Sequence, residues 1–332
     1  MFSVSLETSK AIYLAILQGF TEFLPISSSG HLILASAYMG DEARNISFIT
    51  AVHFGSLIAV ILYFRRDLVT ISGDWGKSLI KKQTVGDSRL FWAVMWGTIP
   101  AGLYGLVLYF LDDERIRSGL LLSLIIIISM ATVILYFAIR KKWEYLRQAV
   151  YASLVMVVLI ALALWLKEGL QSAFITALMS ILFGVALWIS DVKGKRDRGI
   201  SSIGWRDVLI IGVAQACALI PGTSRSGITI TAALLLGFSR QTAARFSFLL
   251  SIPVIVLATL SQTYKLFFKS INVEWDILAY GLVISAVTAY ICIHYFLKLI
   301  ERIGMLPFVA YRILLGIVMF YFIYSGALQS GL

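Results

Sequence analysis

The chain has 332 residues, of which 59% are hydrophobic and only 14% charged, against roughly a quarter charged in a soluble domain. That composition excludes a water-soluble globular protein and predicts a multi-pass membrane protein. The formal charge of +10 does not argue for a nucleic-acid partner, because the basic residues gather in short loops between apolar stretches, where membrane topology places them.

Met1–Lys10 carries Glu7 and Lys10 without a basic start, so no cleavable signal peptide is expected. Cys217 and Cys292 both sit in apolar surroundings and make neither a disulfide framework nor a metal set. A full span needs about 20 apolar residues. In chain order, eight stretches qualify or nearly so: Ile46–Phe64, Leu90–Leu111, Gly119–Ile139, Ala149–Leu166, Leu170–Ile189, Arg245–Gln262, Trp275–Leu297 and Pro307–Tyr324. The loop Asp67–Asp87 reads as a partly amphipathic cytoplasmic connector. Trp and Tyr residues near span ends read as interface anchors. Two regions behave differently. Ala11–Gly40 and Val208–Gly237 each hold two short apolar runs split by a polar centre. Neither half can span alone, which predicts a re-entrant helical hairpin in each region.

The two regions share an order of marks: Gln18, Pro25, Ser29-Gly30 and Gly40 in the first, Gln215, Pro221, Ser226-Gly227 and Gly237 in the second. This is a weak internal repeat whose marks fall at the same functional-looking places. Five predicted spans separate the hairpins, an odd number, so they enter from opposite faces. Nineteen Lys and Arg fall in one set of loops and seven in the other. The positive-inside rule then puts the richer set in the cytoplasm, opens the first hairpin outward and leaves both chain ends outside. The predicted fold is therefore an all-α polytopic transmembrane bundle, read as one integral membrane domain over 1–332, with two inverted re-entrant hairpins.

Irregular backbone inside the hydrocarbon layer is tolerated only where protein or water covers it. The returning half of each hairpin begins at the turn, where its first N–H groups lack helical partners and its dipole is positive. Two such starts meeting near the midplane make a preformed anion site. Ser27, Ser28 and Ser29, with Thr223, Ser224 and Ser226 opposite, suit capping those starts and donating to an anion. Arg225 is costly at this depth and needs a partner or a task. Its planar fork matches phosphate oxygens, and a structural salt bridge to Glu22 is the alternative. Gln18 and Glu22 share a helix face, as do Arg225 and Thr229. Ser27 or Ser28 is spaced to hydrogen-bond His31, an activated-nucleophile arrangement. His53 and His294 read as structural histidines, and Arg312 as a residue either paired inside the bundle or placed near the cytoplasmic interface.

At these residues the sequence resembles the undecaprenyl-diphosphate phosphatase family, the bacitracin-resistance proteins. The resemblance rests on "QGFTE" (Gln18–Glu22) running into "FLPISSSGH" (Phe23–His31), and on "PGTSRSGIT" (Pro221–Thr229). It implies hydrolysis of undecaprenyl diphosphate, the spent lipid carrier of cell-wall synthesis, to the monophosphate and phosphate in the bacterial cytoplasmic membrane, at a site opening to the outer side. It implies Glu22, Ser28, His31 and Arg225 as catalytic residues. Ser27, Gly222, Ser224, Ser226 and Thr229 would bind substrate. Mg²⁺ or Ca²⁺ would sit near Glu22 and Gln18. Gln18 stands where many members carry Glu, which predicts weaker cation dependence. Gly119–Ile189 holds three spans where the family core has one.

The mechanism expected from these residues has Ser28 attacking phosphorus while His31 takes its proton. A rival makes His31 the phosphoacceptor or the base for water. The runner-up function is a transporter or flippase of a lipid phosphate or small anion, which would share the inverted repeat and the anion site but would gain nothing from a nucleophile and a base. A purely structural scaffold leaves Arg225 and both polar turns unexplained. The partners implied are the lipid diphosphate and membrane lipids; the sequence leaves the oligomeric state open.

Overall fold

The computed structural model describes residues 6–39, 46–111, 173–268 and 275–328. They form α1 (Leu6–Thr21), α2 (Ser28–Met39), α3 (Ile46–Tyr63), α4 (Arg65–Lys81), α5 (Ser88–Leu111), α6 (Ala173–Lys193), α7 (Trp205–Cys217), α8 (Arg225–Leu235), α9 (Arg240–Phe268), α10 (Trp275–Ile303) and α11 (Leu306–Tyr324), with no strand among the described residues. The chain is thus an all-α polytopic bundle. Four described helices, α6, α9, α10 and α11, are long and apolar enough to cross a bilayer. The connector expected at Asp67–Asp87 is largely the helix α4, bent by 73° from α3. Its Trp75 ring stacks on Phe91 of α5 at 4.3 Å. The spans expected at Gly119–Ile139 and Ala149–Leu166 lie outside the described residues.

The two split regions fold as helix–turn–helix pairs, α1–α2 and α7–α8. At 1.5 Å per residue, α2 with 12 residues and α8 with 11 reach roughly 18 and 17 Å, well short of the roughly 30 Å hydrocarbon layer. Their packing follows a two-fold pattern. The incoming limb α1 lies on α10, and the incoming limb α7 lies on α5. The first helix after each hairpin repeats the exchange: α3 packs on α10, and α9 packs on α5. Finally α2 meets α11, α8 meets α6, and α6 and α11 pair with each other. The incoming limb of each hairpin is therefore braced by a helix of the other half of the chain. Close approach carries these contacts, as expected where helices pack without a hydrophobic driving force between them. A Cβ on Gly19 would lie 2.6 Å from the Ser285 carbonyl of α10, and one on Gly212 would lie 2.8 Å from the Gly97 carbonyl of α5.

Two bidentate ion pairs hold the basic end of the second half. Arg198 donates to both Asp207 oxygens, at 2.9 and 2.6 Å, and to the Leu236 carbonyl at the end of α8. It thereby ties the entrance of α7 to the exit of α8. The Asp207 carboxylate that accepts these bonds holds the Arg198 guanidinium above its ordinary value. Asp191 at the end of α6 accepts from Arg240 of α9 at 2.6 and 2.9 Å and from the Met305 N–H before α11 at 3.2 Å. Removing the Asp191 carboxylate strands a largely buried guanidinium and an N–H together. Asp191→Ala should lower stability by about 3 kcal/mol, read as a lower melting temperature of the detergent-solubilised protein; a melt unchanged from the parent would contradict the role assigned to this pair.

Candidate functional site

The turns of the two hairpins meet. Gly222 N–H donates to Ser29 Oγ at 3.0 Å, and Ser226 Oγ donates to the Leu24 carbonyl at 2.8 Å. Ser29 and Ser226 hold corresponding places in the repeat, so each hairpin reaches the other with the same residue. The correspondence extends to the backbone. Ser27 and Ser224, the residues before α2 and α8, both have positive φ, 69° and 67°, a conformation that costs a non-glycine residue about 1–3 kcal/mol and persists only where the surroundings enforce it. Ser27 Oγ lies 3.2 Å from Ser29 Oγ, and Ser224 Oγ lies 3.3 Å from Ser226 Oγ. Ser224 also caps α8, accepting from the Gly227 N–H at 3.2 Å. Gly222 takes φ +88°, and its missing side chain lets the turn lie against the Thr176 backbone.

Chemistry breaks the symmetry. Where the first hairpin has Ser28, the second has Arg225. Arg225 Nη2 donates to Glu22 Oε1 at 2.7 Å, with the two side chains 14% and 8% exposed. Arg225 Nη1 is buried with no hydrogen-bond partner among the described residues. The other Glu22 oxygen accepts from Gln18 Nε2 at 2.6 Å. The Gln18 amide is also 3.3 Å from His53 Nε2, which lies 3.8 Å from Glu22 Oε2. His53, read from sequence as structural, therefore belongs to the cluster. A lone His in an apolar span gives no signal that it faces a carboxylate two helices away.

The expected serine–imidazole hydrogen bond is absent, because both His31 nitrogens are engaged elsewhere. Nδ1 sits 2.7 Å from the Ser27 carbonyl, and Nε2 sits 2.6 Å from the Tyr311 hydroxyl. A carbonyl only accepts, so Nδ1 carries the proton, and Nε2 of the neutral ring accepts from Tyr311. His53 is pinned in the same way, Nδ1 to the Ile49 carbonyl at 2.8 Å. Ser28 opens α2 and is half-buried. Thr229, expected to face phosphate, is 1% exposed. Its hydroxyl is shared between Ser247 Oγ at 2.7 Å and the Arg225 carbonyl at 2.8 Å, the back-bonding that a helical threonine favours. Ser226 and Gly222, also expected to bind substrate, spend their hydroxyl and N–H on the joint between turns. Tyr311, which the sequence reading did not single out, stands with His31 between two apolar grooves of about 370 and 330 Å³. Both grooves are lined by Tyr13 and Leu17 as well.

The residues do not fit a resident divalent cation. Mg²⁺ and Ca²⁺ take six or more oxygen ligands, and the described residues gather no group of three His, Cys, Asp or Glu side chains. Glu22 is hydrogen-bonded at both oxygens, one of them to a guanidinium. The buried Gln18 Oε1, which lacks a partner, adds a single neutral donor. What the cluster can do is bind an anion. Arg225 presents a partnerless N–H at the start of α8, where the helix dipole adds positive potential.

The ring assignments are directly measurable. At pH 8, ¹⁵N spectra of the three-histidine chain should show His31 and His53 protonated at Nδ1. Tyr311→Phe should move the Nε2 resonance of His31 and leave that of His53 in place; an Nε2–H tautomer at His31 would contradict the geometry.

The bacitracin resistance protein BacA model matches residues 11–148 and 136–318. Undecaprenyl-diphosphatase 2 of Stutzerimonas stutzeri is 44% identical over 311 residues, covering 93% of this chain and 95% of the relative. Undecaprenyl-diphosphatase of Nitrosococcus oceani is 46% identical over 308 residues, covering 93% and 96%. With coverage so nearly complete on both sides, the long middle region is shared with these relatives. The chain belongs to the bacitracin resistance protein BacA family.

Proposed function

We infer that this chain is a membrane-embedded phosphatase that hydrolyses undecaprenyl diphosphate to the monophosphate and inorganic phosphate, returning the lipid carrier to cell-wall synthesis. Relatives aligned over nine-tenths of the chain bear the name of that hydrolase, which leaves the transporter reading without support. The single observation that carries the assignment to this site is Arg225: its Nη2 is held by Glu22, and its Nη1, buried and without a partner among the described residues, is left to donate at a helix start.

In this proposal the isoprenoid tail lies in lipid and along the apolar grooves beside Tyr311, and the diphosphate enters between the hairpins. Arg225 Nη1 and the first N–H groups of α8 after Ser224 hold the terminal phosphate, on whose outer oxygens charge sits as transfer proceeds. Ser27, Ser224 and the start of α2 complete the anion cradle. Ser28 Oγ forms the new bond to phosphorus, and the bond from phosphorus to the bridging oxygen breaks, releasing the monophosphate. His31 Nε2 takes the serine proton, exchanging the Tyr311 hydrogen bond for it. Water then cleaves the phosphoserine and frees phosphate. Glu22 keeps the Arg225 fork oriented and, with Gln18 and His53, fixes the floor of the site. The uneven distribution of Lys and Arg between loops supports a site that opens to the outer side of the membrane.

Phosphate release by the purified protein is the test. Arg225→Ala should lower kcat/KM by roughly a hundred- to a thousand-fold, as loss of a preorganised donor does. Ser28→Ala should be at least as damaging; near-parental turnover in Ser28→Ala would remove the serine step and leave water as the nucleophile. With Gln18 in place of a second carboxylate, chelator should reduce turnover by less than tenfold, and abolition by chelator would show a cation requirement that these residues do not account for.

A further inference from the structure

Arg312 of α11 is the largest fully buried side chain among the described residues, with 0% exposure. None of the described ion pairs involves it. A cation in this position without a carboxylate is costly, and its contacts indicate what the cost secures. Nε donates to the Ser180 carbonyl of α6 at 3.1 Å. Nη2 donates to the Gly222 and Thr223 carbonyls at 2.8 and 2.9 Å, with a longer contact to the Met179 carbonyl at 3.4 Å. Nη1 is buried with no partner among the described residues. It lies beside the start of α8, where a Cβ built on Gly227 would stand 2.6 Å from it.

Two consequences follow. A trans peptide is planar with its C=O and N–H on opposite edges. Arg312 draws the Thr223 carbonyl toward itself and so aims the Ser224 N–H the other way, out of the turn. Nor does any carboxylate among the described residues pair with the charge. Glu22 offsets Arg225, so the net positive charge behind the phosphate-binding turn is that of Arg312. In a low-dielectric interior, a fixed charge at this range acts strongly on an incoming anion.

We propose that Arg312 is the positioning residue of the anion site: it locks the Gly222–Ser224 turn with the Ser224 N–H directed away from the guanidinium and supplies the positive charge that the diphosphate neutralises on binding. The proposal rests on the phosphatase reading for the identity of the anion, but anion binding itself can be tested without turnover. Tyr311, next in sequence, holds His31 of the first hairpin, so α11 would register both hairpins through adjacent residues.

The probe is inorganic pyrophosphate. Melting curves are taken with increasing pyrophosphate for the parent, Arg312→Lys, Arg312→Gln and Gly227→Ala, the last of which keeps the charge but pushes a methyl group against the guanidinium. Pyrophosphate should raise the parent melting temperature. Arg312→Lys should remain monodisperse and melt cooperatively, yet need at least tenfold more pyrophosphate for the same rise. Its KM for polyprenyl diphosphate should increase at least tenfold, with a smaller fall in kcat. Arg312→Gln should lose the pyrophosphate response. Should the Arg312 variants fail to fold, Gly227→Ala decides, with the same weakened response expected. Parental half-saturation and KM in the folded variants, with only the unliganded melt lowered, would overturn the proposal by reducing Arg312 to a scaffold contact. A parent that ignores pyrophosphate would overturn it too. A parent that responds to pyrophosphate but releases no phosphate from the lipid would instead defeat the phosphatase reading and leave the Arg312 proposal standing.

Discussion

Everything at the centre of this molecule depends on one ion pair formed between two turns. Glu22 ends the incoming limb of the first hairpin, Arg225 begins the returning limb of the second, and they meet at 2.7 Å in surroundings that leave little of either exposed. Neither charge is tolerable there alone. Together they fix the separation and orientation of the hairpins, and the serine hydroxyls of Ser29 and Ser226 add one cross-turn bond from each side. The pair is also incomplete. A guanidinium has five N–H donors, and the two at Nη1, buried without a partner among the described residues, point to a binding function that a fully satisfied structural bridge would lack.

The frame around that pair is two-fold and its chemistry is not. Ser27 and Ser224 share an unfavourable backbone angle, Ser29 and Ser226 share a reach across the joint, and Gln18 and Gln215 share a place on the incoming limbs. At matching positions, however, Ser28 answers Arg225, Glu22 answers Leu219, and His31 answers Ile228. A duplicated scaffold supplies two anion-attracting helix starts. In the proposed mechanism, divergence at three positions makes one side the clamp and the other the reactive face. The strain at both serines is then a consequence of bringing two helix starts to one point, and the crosswise bracing of α1 by α10 and α7 by α5 is what sustains it.

The parts of this arrangement that could be read from sequence were those with a local signature. Two polar interruptions in apolar stretches, each too short on either side to span, mark the hairpins; the charged residue inside the second turn is Arg225, and Glu22 reads as its alternative partner. Contacts made across distant sequence could not be read. Tyr311 reaches His31 over 280 positions, and nothing in an apolar helix reveals which tyrosine faces inward. His53 was assigned to packing because a single histidine in a span has no pattern to distinguish a ligand from a core residue. The serine–imidazole bond failed for a local reason that spacing conceals: residues three or four apart share a face, but the i−4 carbonyl competes for Nδ1 and wins. The Thr229 hydroxyl meets the same competition and folds back on the Arg225 carbonyl.

The most direct measurement is an experimentally determined structure with pyrophosphate bound, read at Arg225. The account predicts a phosphate oxygen within about 3 Å of Nη1, with Nη2 still on Glu22 and the Ser29–Gly222 joint closed. Pyrophosphate bound away from Arg225, or Glu22 and Arg225 parted with the two turns separated, would contradict it.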